Sequence, residues 1–179
     1  MQNIRYDFSS VHVDVPHYLA EEIMQWGNES IPDHILFRDP KDPFFGRENE
    51  MHVTILYGIH SDKPRRTFET FRNESSVDIQ LGEIDLFTRS NLFDVVFVKV
   101  HSQQICALNE KLKSNVVYSN RYESYVPHVT IAYVKKDKAW GLKGDKEFVG
   151  RSFTANSYVF SSRNGKRHSK DFHQITGMV

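Results

Sequence analysis

His52-Val53-Thr54-Ile55 recurs further along the chain as His128-Val129-Thr130-Ile131, and a tyrosine follows each copy two residues later. The residues around both copies favour strands. In an extended strand, residues i and i+2 point to the same face, so each copy presents an imidazole and a hydroxyl group together. Two such strands side by side would place two histidines and two threonines around one small anion.

The residue types in this repeat fit phosphate ester cleavage. Cleavage of a phosphodiester requires one proton to leave the attacking oxygen and another to reach the leaving oxygen. Histidine, with a reference pKa of about 6.5, performs either step near neutral pH. The sequence therefore predicts that His52 and His128 are the acid and the base, in an order that it leaves open. Thr54 and Thr130 are predicted to donate hydrogen bonds to the non-bridging oxygens. A strand pattern without chemistry would require strand-forming residues but not a histidine at both starts.

The composition limits the class of protein. The chain has 179 residues, 39% of them hydrophobic, which is enough for one packed domain. Its 23 Lys and Arg balance 23 Asp and Glu, whereas a protein that grips long nucleic acid is usually basic. We therefore expect a monomer that binds a nucleotide or a short oligonucleotide, with no long duplex and no membrane as partner.

A single cysteine and the lack of an apolar signal segment predict a cytoplasmic protein. No histidine pair has zinc-site spacing, so no metal or cofactor is expected.

Periodicity and turn residues predict an α+β protein. Residues 31–50, rich in proline and charge, are predicted to be a long irregular segment and a candidate lid. The element order resembles two similar halves. We therefore expect a single domain, residues 1–179, of two pseudo-symmetric lobes in which two antiparallel sheets form a central cleft with helices on the outside. Strands are predicted at 4–14, 51–59, 77–88, 92–100 and 125–134, helices at 17–28, 62–72 and 102–114, and a hairpin from 152–161 through Asn164-Gly165 and back through Phe172 and Ile175.

The paired motifs, with Pro127 before the second copy, resemble the signature of the two-histidine (2H) phosphoesterase superfamily. That superfamily includes the LigT-like RNA cyclic phosphodiesterases, the 2′-5′ RNA ligases and phage enzymes that destroy cyclic nucleotide signals. The resemblance covers nearly the whole chain in element order. It implies a bilobal, pseudo-symmetric cleft with both motifs at its floor, and it does not fix the substrate, because members differ in what they cleave.

Further residues are candidates for substrate binding, each with an alternative structural role. The adjacent Phe44 and Phe45 in the long segment could stack a base or anchor the loop to the body. Tyr57 and Tyr133 stand at odd offsets from the histidines, so we predict that they pack in the core on the opposite face. The remaining histidines, His12 among them, are predicted to be structural or at the surface. The other binding candidates are basic or aromatic residues of the long segment, the second motif region and the C-terminal turn: Arg47, Tyr125, Arg163 and His168.

Two function classes compete. The leading hypothesis is a metal-independent phosphodiesterase that hydrolyses a 2′,3′-cyclic phosphate, or a small cyclic or 2′-5′-linked signalling oligonucleotide. A strained ring or a neighbouring ribose hydroxyl suits such a site, since proximity removes about 7–11 kcal/mol from a barrier. The alternative is a non-catalytic nucleotide-binding module of the same fold, against which the intact histidines and threonines argue. RNA joining, as the reversal of cyclic phosphate chemistry, is a third and weaker option.

Overall fold

The computed structural model describes residues 6–122 and 124–173 as an α+β protein, as predicted. The predicted strand residues 4–5 and the predicted return through Ile175 lie outside the described residues. Two short 3₁₀ helices, Asp33–Ile35 and Trp140–Leu142, supplement three α-helices and eight strands among the described residues. These elements are β1 (Ser9–Asp14), α1 (His17–Ser30), β2 (His52–Ile59), α2 (Arg65–Thr70), β3 (Val77–Phe87), β4 (Phe93–His101), α3 (Gln103–Lys113), β5 (His128–Lys135), β6 (Ser152–Ala155), β7 (Ser157–Ser161) and β8 (Arg167–Asp171).

The eight strands follow the order β6-β3-β4-β5-β2-β1-β7-β8, and neighbouring strands are antiparallel. The two predicted sheets correspond to the two four-stranded halves of this curled sheet, β6-β3-β4-β5 and β2-β1-β7-β8. The halves meet between the two motif strands, where the register contains one residue pair, Val53 opposite Val129. Each half therefore contributes one histidine motif at the junction.

The helices pack across the junction of the two halves. Ser102 caps α3 by accepting a hydrogen bond from the Ile105 backbone N–H, and α3 contacts β2 of the other half. In the same manner α1 contacts β5, and Gly27 of α1 comes so close to Ile131 that a Cβ there would lie 2.7 Å from the isoleucine methyl group. The helices thus bury the backs of the motif strands and hold the halves together. No helix among the described residues is long and apolar enough to cross a membrane.

Each motif strand contains one extra residue directly after its motif. In β2, Thr54 lies opposite His12 while Leu56 lies opposite Val11, which leaves Ile55 as the extra residue. In β5 the equivalent extra residue is Ile131, since the register against β4 shifts at the same point. An extra residue of this kind is a β-bulge, and it resets the alternation of side chains between the two faces.

The bulges place Tyr57 and Tyr133 on the face of the sheet that carries the histidines. Tyr57 pairs with Ser10 of β1, which shares a face with His12, and its side chain is 40% exposed. Tyr133 pairs with Val95 of β4. Val95 shares a face with Phe97, which is the partner of Thr130. The prediction that both tyrosines lie on the opposite face is therefore wrong, because it assumed an unbroken alternation.

The long segment 31–50 lies along the edge of β5. Phe37 donates its backbone N–H to Tyr133 at 2.9 Å, Tyr133 donates to Gly46 at 2.7 Å, and Glu48 donates to Ile131 at 2.8 Å. The edge of β2 is covered in a related way by residues 117–119, which bond to Gly58 and His60. The segment before each motif therefore covers an edge of the strand that carries the other motif.

Substitution of Gly58 tests this edge contact. Gly58 has φ +99°, and a Cβ at this position would lie 1.9 Å from the carbonyl oxygen of Ser119. We expect Gly58→Ala to lower the free energy of unfolding by about 2 kcal/mol or more, since both the left-handed backbone and the clash must be accommodated. Urea unfolding measures the change. Gly141→Ala is the control, because nothing lies within 4 Å of the added methyl group, and equal effects of the two substitutions would contradict the prediction.

Candidate active site

The two motif histidines are held in the same way. His52 Nδ1 lies 2.6 Å from the carbonyl oxygen of Glu50, and His128 Nδ1 lies 2.7 Å from the carbonyl oxygen of Val126. A carbonyl oxygen only accepts, so Nδ1 carries the proton in each neutral ring and Nε2 is left as the nitrogen that can exchange a proton with a ligand. These carbonyl groups, each two residues before its histidine, are the orienting partners that the sequence did not identify.

The four motif side chains share one face of the sheet. Val53 and Val129, which pair across the junction, are 0% exposed and point into the core. The flanking His52, Thr54, His128 and Thr130 therefore point to the other face, where all four are partly exposed. The antiparallel register sets His52 beside Thr130 and Thr54 beside His128. The structure thus brings together the four residues that the repeat singled out.

His128 occupies an apolar setting. Its ring meets Phe87 edge-on at a centroid distance of 4.8 Å and Phe97 at 5.3 Å. Burial lowers the pKa of His128, the hydrogen bond to Val126 opposes this shift, and the nearby charge of His52 lowers the pKa further. The neutral ring is therefore favoured at this position.

Beside His128, the face carries a lysine held by carboxylates. Lys99 pairs with His128 across β4 and β5. Its ammonium group lies 2.8 Å from Glu83 and 2.9 Å from Asp85, and these bonds raise the pKa of the lysine. Lys99 was not predicted for the site, since its only sequence signal is its position in the strand that precedes α3.

His52 has polar neighbours that differ from those of His128. Its ring lies 4.7 Å, centroid to centroid, from the ring of His12. Arg167 donates to both carboxylate oxygens of Asp14 at 2.8 and 2.9 Å and to Glu50 at 2.8 Å. His12 and Arg167 were not predicted for the site. The available signal was the i, i+2 spacing of His12 and Asp14 in β1.

The two phenylalanines of the long segment separate in the structure. Phe45 packs among aromatic rings that include Phe93 and Tyr133, with centroid distances of 5.1 and 5.2 Å. It anchors the segment to β5. Phe44 is 43% exposed and lies 4.8 Å from the ring of Tyr6. Of the pair, Phe44 is the one whose ring remains open to a ligand.

Arg47 and Tyr125 make structural contacts. Arg47 donates to the carbonyl oxygens of Gly27 and Ile31 at 2.7 and 2.5 Å, and so caps the end of α1. The Tyr125 hydroxyl donates to the carbonyl oxygen of Thr54 at 2.7 Å, and burial raises its pKa. Tyr125 therefore ties the segment before β5 to the first motif, which is a positioning contact.

Arg163 and His168 precede and follow Arg167 along the chain, and Arg167 is the hairpin residue that reaches the site. The Arg163 side chain forms two hydrogen bonds to Asp62, at 2.7 and 2.6 Å, and its backbone N–H donates a third at 3.3 Å; these bonds lower the pKa of Asp62 to about 2. His168 pairs with Phe160, which is fully buried, so its side chain leaves β8 on the face opposite to the motifs. Arg167, one residue earlier, points to the motif face.

Three or more His, Cys, Asp or Glu side chains arranged to hold a metal ion are not found within residues 6–122 and 124–173.

The comparisons identify the family. Residues 28–147 match the model of the 2′-5′ RNA ligase superfamily. The chain therefore belongs to this superfamily of 2H phosphoesterases, as its motifs predicted, and the membership supports a phosphoesterase type of activity. A comparison with curated proteins finds no match.

Solved structures share the fold at low sequence identity. The apo form of LigT from E. coli superposes with a TM-score of 0.64 at 14% identity, covering 94% of this chain and 96% of LigT. LigT in complex with NADP⁺ gives 0.62 at 15% identity, with 93% and 95% covered. TT0787 of Thermus thermophilus gives 0.61 at 14% identity, again with 93% and 95% covered.

The apolar setting of His128 predicts a pH-dependent stability. The folded state disfavours the imidazolium form, whereas the unfolded chain takes up the proton near the ordinary histidine pKa of about 6.5. The unfolded state then binds more protons, so the free energy of unfolding decreases as the pH falls below this value. We expect urea unfolding at pH 7.5 and 5.5 to show a smaller difference for His128→Gln than for the unchanged protein. The same difference in both proteins would contradict the prediction.

Proposed function

We propose that this protein is a metal-independent phosphodiesterase that hydrolyses a 2′,3′-cyclic phosphate, or a small cyclic or 2′-5′-linked oligonucleotide. The observation that carries the proposal is the matched orientation of His52 and His128. Both rings hold Nδ1 against a backbone carbonyl, and both stand on one sheet face with a threonine two residues on. Two proton-exchanging nitrogens and two hydroxyl donors are the groups that phosphoryl chemistry of this kind requires.

The different surroundings of the two rings favour a division of roles. His128, whose pKa is lowered by burial, is neutral near pH 7 and acts as the base in hydrolysis. His52, beside the polar group of Asp14, Glu50 and Arg167, delivers the proton as the acid. In the reverse reaction each histidine takes the other role.

The proposed step can be written with all atoms balanced. A water oxygen attacks the phosphorus of the cyclic diester, and its proton passes to Nε2 of His128. The bond from phosphorus to the ribose 3′ oxygen breaks, and His52 gives its proton to that oxygen. The products are a 2′-phosphate and a free 3′-hydroxyl group. Thr54 and Thr130 donate to the non-bridging oxygens while negative charge builds on them.

A nucleotide is the substrate class that the available comparisons favour. Structures of E. coli LigT with NADP⁺, 3′-AMP and ATP share this fold. By analogy, we propose that the cleft of this protein accepts a nucleotide and that the exposed ring of Phe44 stacks on its base. A monomer suffices for this proposal, because both histidines come from one chain.

The alternative function is a nucleotide-binding module without turnover. It would use the same cleft and the same donors, and it predicts binding of the substrate panel without products. RNA joining would instead appear as the consumption of a 2′,3′-cyclic end together with a free hydroxyl end. Analysis of products, in addition to binding, therefore separates the three functions.

Removal of either histidine tests the catalytic proposal. We expect the protein to cleave at least one member of a panel of 2′,3′-cyclic nucleotides, linear 2′-5′ oligomers and cyclic dinucleotides, in the presence of EDTA. His52→Ala and His128→Ala should each lower kcat by about 100-fold or more, since each turnover requires both proton transfers. Product formation is followed by chromatography.

His17→Ala provides the matched control, because this histidine is 85% exposed on α1 and takes no part in the proposed site. It should leave the rate unchanged. Turnover that survives both motif substitutions would end the catalytic assignment, and loss of turnover in EDTA would end the metal-independent one.

The threonines are expected to stabilise the transition state. Thr54→Val and Thr130→Val keep the side-chain shape and remove the hydroxyl donor, so each should lower kcat/KM by about 10- to 100-fold while the fold survives. Thr54→Ser and Thr130→Ser retain the donor and should recover most of the activity. Valine and serine variants of equal activity would show that the hydroxyl groups are not used.

A further inference from the structure

A third histidine is buried against the first motif. His12 of β1 pairs with Thr54, and only 6% of it is exposed. Its ring is tilted by 46° to the ring of His52, at a centroid distance of 4.7 Å. His12 does not belong to the repeat, and no equivalent imidazole accompanies His128 among the described residues. The contact between His12 and His52 therefore makes the two motif sites different.

The titratable groups that face His12 come from three strands. Asp14 lies on the same strand, Arg167 lies on β8, and His52 lies on β2. His12 Nε2 is 3.3 Å from a carboxylate oxygen of Asp14 and 3.3 Å from the guanidinium group of Arg167. The opposing strand β7 places the apolar Val159 opposite His12.

Arg167 and His12 compete for the charge of Asp14. The guanidinium group bonds to both carboxylate oxygens at 2.8 and 2.9 Å, whereas Nε2 of His12 stands at the longer distance of 3.3 Å. Burial lowers the pKa of His12, the hydrogen bond with Asp14 opposes this shift, and the charges of His52 and Arg167 lower the pKa further. The paired guanidinium group thus satisfies the carboxylate that would otherwise stabilise an imidazolium ion at His12.

We propose that Arg167, by engaging Asp14, keeps His12 neutral, and that the neutral His12 ring packs against His52 and positions it to carry the catalytic proton. The inference rests on the proposed function and makes His12 and Arg167 positioning residues. A positive charge on His12 would repel the imidazolium form of His52 at close range. Arg167 also bonds to the carboxylate of Glu50, and the backbone carbonyl of Glu50 orients His52 Nδ1. The same guanidinium group therefore contacts both His12 and Glu50, the two residues that hold the His52 ring.

The protonation of His12 can be measured without any substrate. Histidine resonances followed by NMR in the full-length protein give the titration midpoint of His12. In Arg167→Gln the carboxylate of Asp14 is released to His12, so we expect this midpoint to rise by about one pH unit or more. Arg151→Gln, which removes a surface arginine paired with Glu22, should leave the midpoint in place. An unchanged midpoint in Arg167→Gln would overturn the proposal, whether or not the protein is a phosphodiesterase.

Kinetics of single and double variants separate positioning from a general loss of structure. Arg167→Gln should lower kcat about 10-fold with little change in KM, because a charged His12 repels the protonated form of His52 at close range. His12→Phe keeps a ring in place and cannot take up a proton. The double variant Arg167→Gln/His12→Phe should therefore recover to within about 3-fold of His12→Phe alone.

His12→Ala removes the ring that packs against His52 and should lower kcat more than His12→Phe does. If the double variant is no more active than Arg167→Gln, the effect of Arg167 does not pass through His12 and the proposal fails. If His12→Ala is as active as the unchanged protein, the position of His52 does not depend on the His12 ring and the proposal fails as well.

Discussion

The pairing of Val53 with Val129 is the contact on which the site depends. It is the one residue pair in the register between β2 and β5, and it fixes both which residues face one another and which face they share. A shift by one residue would turn one histidine and its threonine into the core. Such a short pairing gives little stability by itself, so the crossing of α1 onto β5 and of α3 onto β2 is what maintains it.

The bulges that follow the motifs explain why the site face is aromatic as well as polar. Without Ile55 and Ile131 as extra residues, Tyr57 and Tyr133 would point into the core. With them, the strands bend and each tyrosine returns to the face of its histidine. The surface next to the motif histidines and threonines therefore carries rings, which suits the proposed ligand, a base attached to a phosphate.

The sequence predicted what depends on local pattern and missed what depends on pairing between distant strands. The repeat located the four motif residues, and periodicity and turn residues predicted the order of the elements, since all of these are visible along the chain. It could not place Tyr57, because a bulge is defined only against the neighbouring strand. Nor could it show that Arg167, and not the predicted His168, lies on the motif face, because the register of β8 against β7 decides which of these adjacent residues points there. Arg47 was predicted from its charge to be a ligand contact, although its charge caps the end of α1.

The duplicated motif gives both histidines the same local geometry, and the rest of the chain makes them unequal. The carbonyl group two residues upstream holds Nδ1 in both copies, so neither ring is distinguished by its own strand. The difference comes from neighbours on other strands, with the rings of Phe87 and Phe97 around His128 and the polar group of Asp14, Glu50 and Arg167 around His52. General acid–base catalysis by two identical groups requires such an asymmetry, because one must be neutral while the other is charged. Duplication therefore supplies the geometry of the pair, and the neighbouring strands supply the different surroundings on which the proposed division into acid and base rests.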